Sequence, residues 1–122
     1  MEEIVQHMAN MTKEMRKAID DCMSCSSMCE ETIAYCMDMP GSMTDAAGMR
    51  VLMDCASITQ VCAEMMCRMS PMHPQMCELC VRACTTCADM SVKAPKDVQM
   101  AKLAEMCRTC AESCQVMVHA TA

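Results

Sequence analysis

The chain nowhere sustains a two-residue alternation of β-branched side chains; its apolar positions recur instead at separations of three, four and seven, as in Met8, Met11, Met15, Cys22, Cys25 and Cys29. Such separations place side chains on one face of an α-helix. Proline and glycine interrupt the pattern at three places, Pro40-Gly41, Pro71 with Pro74, and Pro95. Between the breaks the chain is rich in Ala, Met, Glu, Lys and Gln, which are good helix formers. Three breaks leave four helices, expected over about 12–39, 43–69, 74–90 and 96–118, with room for a short helical lead-in over about 2–10. Thr12 and Thr44 are the expected N-caps, and Pro74 and Pro95 sit near helix starts, where a missing N–H costs least. Short connections make successive helices antiparallel. The expected fold is all-α, an up-down four-helix bundle forming a single domain over residues 1–122.

What fills that bundle is unusual. Among 122 residues there is one aromatic, Tyr35, and the apolar content of 53 % is carried largely by 20 Met and 14 Cys. Both are soft sulfur-bearing side chains. The formal charge is −6, and the ten Lys and Arg are scattered singly, which leaves no basic stripe for nucleic acid or an anionic membrane.

The cysteines are periodic. Cys22-x2-Cys25-x3-Cys29 recurs as Cys77-x2-Cys80-x3-Cys84 and as Cys107-x2-Cys110-x3-Cys114, once in each of three helices. At ~100° per residue the members of each unit point to about 0°, −60° and −20°, a narrow stripe. Cys36 extends the first stripe at about −40°, and Cys87 extends the third at about −80°. On the second helix Cys55 and Cys62 share a face, whereas Cys67 lies about 120° from Cys55 and is set aside. Met66 and Met69 return to the Cys55 face. Any one buried Cys is ordinarily a small inert hydrophobe and any one Met ordinarily core packing. A threefold repeat that sets thirteen cysteines on inward stripes is not explained that way, because leucine would fill the space without the oxidation risk.

Residues three or four apart on a helix send their Cβ atoms outward in near-parallel rows, which suits disulfides poorly. Structural zinc draws converging cysteines into a closed tetrahedron and leaves negative charge on a four-thiolate site, a poor fit to a dry tube. Copper(I) is soft, thiophilic and content with low coordination. If each thiolate bridges two ions and each ion takes two thiolates, one Cu⁺ accompanies each Cys⁻ and the interior stays neutral. The expected cargo is multiple Cu(I) ions, in number approaching the inward cysteines.

With its repeated Cys-x2-Cys-x3-Cys units and the methionine-rich link Cys36-Met37-Asp38-Met39-Pro40-Gly41-Ser42-Met43, the sequence resembles the bacterial copper storage protein family, over nearly its whole length. The resemblance implies cysteine-lined four-helix bundles, assembly as a homo-oligomeric tetramer, and admission of copper through methionines at one end, here Met39 and Met43 with Met49 beside them. Tyr35 stands where some relatives carry a histidine near that mouth, and the second helix has few cysteines.

The remaining features are secondary. His73 lies on the third stripe about −40° from Cys77, so that a ligand role at the opposite end stands beside the preferred reading as a surface cap. His7 and His119, near the termini, are read as solvated. No enzyme is expected, since the core pattern holds no cluster of carboxylate, His and Ser and no phosphate-binding glycine loop. The rival readings are an iron-sulfur electron carrier of ferredoxin type and a redox-buffering cysteine-rich structural protein; against the first, no proline follows a cysteine and the spacing tracks a helix. Met-Glu-Glu-Ile-Val-Gln-His lacks a basic stretch leading into an apolar one, so a cytoplasmic protein is expected, the alternative being an exported protein whose signal has been removed. The copper donor or acceptor is left open.

Overall fold

A computed structural model describes Glu2 and residues 11–39, 45–93 and 97–119. Four α-helices follow in order: α1 Lys13–Asp38, α2 Ala46–Cys67, α3 His73–Ser91 and α4 Val98–Val118. The helical lead-in expected over 2–10 lies outside the described residues except for Glu2, which is helical.

Each start has a local cause. Thr12 caps α1, its hydroxyl accepting from the Met15 amide at 3.1 Å. The second helix begins later than expected: Asp45 is the N-cap, its carboxylate accepting from the Gly48 amide at 2.8 Å, and Thr44 lies outside the described residues. Asp97 caps α4 through the Met100 amide at 3.1 Å. The third helix starts with Pro74 in its first turn.

The α2–α3 connection holds a feature that sequence reading misses. Met69 takes φ 52°, the left-handed region usually given to glycine. Its amide donates to the Met66 carbonyl at 3.0 Å and the Ser70 amide to the Met65 carbonyl at 2.9 Å, the two bonds of a Schellman C-cap. A side chain at this position costs about 1 kcal/mol. The cap ends α2 at Cys67, two residues earlier than the expected 69.

The helices form a square. α1 packs on α2 and α4, and α3 packs on the same two, while the diagonal pairs stay apart. The order of cross-helix contacts shows antiparallel neighbours: Cys22 meets Cys114 while Cys25 meets Cys107, and Cys55 meets Cys84 while Cys62 meets Cys77. Small residues at the contacts (Ala18, Ala56, Ala63, Ala88, Ala104) are buried and let the backbones approach. Three buried hydroxyls are satisfied by their own helix, Thr32 donating to the Met28 carbonyl, Thr59 to that of Cys55 and Ser91 to that of Cys87, each at 2.7 Å. Ser26 bridges helices instead, donating to the Ala56 carbonyl at 2.9 Å. Among the described residues no helix is long and apolar enough to cross a membrane.

Candidate metal centre

Where a bundle of this size would hold leucine and phenylalanine, this one holds thiols. Twelve cysteines are buried, Cys36 is half-buried and Cys67 is exposed; none of the fourteen is in a disulfide. Along α1 the repeat turns Cys22, Cys25 and Cys29 inward; α3 does the same with Cys77, Cys80, Cys84 and Cys87, and α4 with Cys107, Cys110 and Cys114. α2 contributes Cys55 and Cys62. The 3–4 spacing alone produces this, since it keeps successive side chains on one stripe.

Cross-helix packing gathers the sulfurs into groups. Cys22, Cys80, Cys110 and Cys114 form one, with Cys22 Sγ 3.4 Å from Cys114 Sγ and 3.6 Å from Cys110 Sγ. A second comprises Cys25, Cys29, Cys55 and Cys107, a third Cys25, Cys84 and Cys110, and a fourth Cys62, Cys77 and Cys114. In every group the sulfurs lie within 4.8 Å of one another. The groups share corners: Cys114 joins the fourth to the first, Cys110 the first to the third, and Cys25 the third to the second. Eleven cysteines thus form one continuous column along the bundle axis.

Of the other residues expected to be ligands, Cys87 is buried against Cys29 but stands outside the four groups. Cys36 lies beyond the column, toward the end where α1 finishes. Met39, at that end, is 50 % exposed, and Met43 lies outside the described residues. Cys67 faces away from the column, as its angle requires. Of the methionines continuing the first stripe, Met15 is buried and Met11 half-buried, and Met8 is outside the described residues. Met100, buried at the start of α4, went unnoticed in the sequence, although it stands seven residues before Cys107 as Met15 stands before Cys22, and that spacing was the signal for it.

The electrostatics are set by what is missing from the interior. Among the described residues the buried polar side chains are Ser26, Thr32, Thr59, His73, Ser91 and Ser113; no Lys, Arg, Asp or Glu is buried. Thiolate charge in the column has no protein cation to offset it. The thiols therefore order one another. Hydrogen bonding to Cys114, with burial, pushes Cys77 up to about 12, and hydrogen bonding to neighbouring thiols raises Cys22, Cys29, Cys62, Cys84, Cys107 and Cys110. Donation from Cys107 holds Cys55 down at about 2, donation from Cys110 holds Cys80 at about 3, and Cys25 and Cys114 are lowered by the same two donors respectively. The two directions describe one network: a thiolate at an accepting position persists only while its neighbours remain protonated and donate to it.

Sequence comparison is decisive about kinship. The model of the copper storage protein family matches residues 11–119. The chain belongs to that family. Solved structures agree on the fold over nearly the whole length. A cytosolic copper storage protein from Streptomyces lividans loaded with five coppers is 23 % identical, covers 90 % of this chain and 96 % of its own, and superposes with a TM-score of 0.83. A Nitrosospira multiformis protein is 28 % identical over 87 % of this chain and 95 % of its own, TM-score 0.79. The apo form of copper storage protein 3 from Bacillus subtilis is 25 % identical over 84 % and 97 %, TM-score 0.74. No curated protein matches the sequence. The four-helix fold shared with these structures is therefore the frame in which this column stands.

Proposed function

We propose that this chain, working as one domain, stores many Cu(I) ions on its column of cysteine thiolates, and that it does so as a binding protein without catalysis. The observation that carries the reading is the column itself: eleven buried cysteines in four corner-sharing groups, in an interior that buries no charged residue among those described. A monovalent soft ion that takes about one thiolate apiece leaves such an interior neutral, whereas four thiolates around a divalent ion leave net charge with nothing nearby to balance it. The S. lividans relative binds copper in the same fold, which supports the choice of metal.

The proposed ligands are the eleven grouped cysteines with Cys87 and Cys36 continuing them, and Met39 and Met43 admit copper at the end where α1 finishes. Thioethers are neutral and weaker than thiolates, suited to passing an ion on. A cytoplasmic setting is the reading we adopt, supported by the cytosolic S. lividans relative; assembly as a homo-oligomer, a tetramer, rests on the sequence resemblance to the family alone. Anaerobic titration of the reduced protein with Cu(I), with metal and thiols counted after gel filtration, tests storage. Uptake approaching one ion per inward cysteine supports it. Saturation after a few ions, or a brown protein carrying iron and sulfide, overturns it.

A further inference from the structure

The two ends of the column differ. Toward Met39, fully buried Leu52 and Leu103 take the places that cysteines take farther in on α2 and α4. Toward the other end all four helices place a nitrogen or sulfur donor in the core: Met15 on α1, Met66 on α2, His73 on α3 and Met117 on α4, between 0 % and 8 % exposed. Met66 Sδ already lies 3.8 Å from Cys77 Sγ, a member of the last thiol group.

His73 is the anomaly. Rather than capping the surface it is buried, and the Ser70 carbonyl, next to the left-handed Met69, reaches the start of α3. That carbonyl accepts from the His73 amide at 3.1 Å and lies 2.9 Å from Nδ1. A carbonyl only accepts, so Nδ1 carries a proton, and in the neutral ring Nε2 presents a bare lone pair. Nε2 is fully buried and has no hydrogen-bond partner among the described residues. Orphaned buried polar atoms are rare and call for a reason. One ring nitrogen donating to a backbone carbonyl while the other points free is how metal-binding histidines are held. Four residues on, one turn along the same face of α3, stands Cys77.

We propose that His73 Nε2 and the Met66 thioether form a terminal Cu(I) site at this end, with Met117 and Met15 as the thioethers of the other two helices, exchanging copper with Cys77. This rests on the reading of the column as a Cu(I) store. Imidazole and thioether are neutral donors for Cu(I), so the site adds no anion to the core. The exchange is a ligand substitution: Cu–N and Cu–S(thioether) bonds break as a Cu–Sγ bond forms, the metal stays Cu(I), and the Cys77 proton leaves to solvent.

The test follows the His73 ring nitrogens by ¹⁵N NMR in the full-length reduced protein during anaerobic titration with Cu(I), alongside stopped-flow removal of copper by a Cu(I) chelator from wild type, His73→Leu and Met66→Leu. The Nε2 resonance shifts on loading while Nδ1 keeps its proton, and both variants release copper several-fold more slowly with nearly unchanged capacity. The ring measurement needs no variant and decides alone if His73→Leu fails to fold. High copper capacity with an unmoved Nε2 resonance overturns this site and leaves storage standing. Failure to take up many ions overturns storage, and the site with it.

Discussion

At the residue scale the corners of the column matter most. Cys25, Cys110 and Cys114 each belong to two thiol groups, whereas Cys36, Cys67 and Cys87 belong to none. The triple variant Cys25→Ser/Cys110→Ser/Cys114→Ser is expected to lose more Cu(I) ions than the three thiols removed, since each loss opens two groups. Cys36→Ser/Cys67→Ser/Cys87→Ser should lose three or fewer. End-point metal counts after gel filtration compare them, and equal losses would show that the groups do not act as units. The raised thiols make a second prediction. Cys77 at about 12, with six other thiols raised, keeps most of the column protonated at neutral pH, so Cu(I) must displace protons. Because those groups titrate above neutrality, acid favours the protons and copper affinity falls as pH falls. Loading near pH 7 should release about one proton per ion bound to a protonated thiol, which a weakly buffered indicator assay measures.

At the element scale the ends of the helices do more than stop them. Asp97 caps α4 with Oδ1, and its Oδ2 accepts from the Tyr35 hydroxyl at 3.0 Å, so one carboxylate starts a helix and ties it to the last turns of α1. The same seam is reinforced where Gln99 donates to the Thr32 hydroxyl at 2.9 Å. Asp97→Ala should lower stability by about 1 kcal/mol through the lost cap alone, Asp97→Asn should retain most of it, and Tyr35→Phe should cost less than Asp97→Ala. Urea unfolding of the reduced protein ranks the three; a Tyr35→Phe loss exceeding that of Asp97→Ala would mean that the tyrosine, not the cap, holds this seam. Pro74 within the first turn of α3 and Thr12 ahead of α1 were both legible, because capping is chemistry between residues two or three apart. The left-handed Met69 was not, since nothing in its side chain prefers that conformation.

At the scale of the whole molecule the two ends of the bundle are unlike, and the copper traffic proposed for them can be measured separately from storage. Met39→Leu with Met43→Leu is nearly volume-conserving and removes only the thioethers, so copper transfer from a Cu(I) chelator should slow while final capacity stays almost unchanged. Stopped-flow loading measures it, and a wild-type rate would mean that copper passes elsewhere. The helical period, the four-helix count and the inward facing of twelve of the thirteen striped cysteines, all but the half-buried Cys36, were determined by the sequence alone, because a separation of three or four residues sets the angle between side chains on a helix whatever surrounds it. So was the dismissal of Cys67, about 120° off its stripe. Which sulfurs share a group was not, because that depends on how the four helices are rotated and staggered against one another, and only side-chain packing across the whole bundle decides it. Hence Cys114 meets Cys22, 92 positions away, at 3.4 Å, while Cys87 is buried yet stands outside every group. His73 shows the same division: its angle put it on the stripe, but its burial and its unpartnered Nε2 depend on the packing of the whole bundle around it.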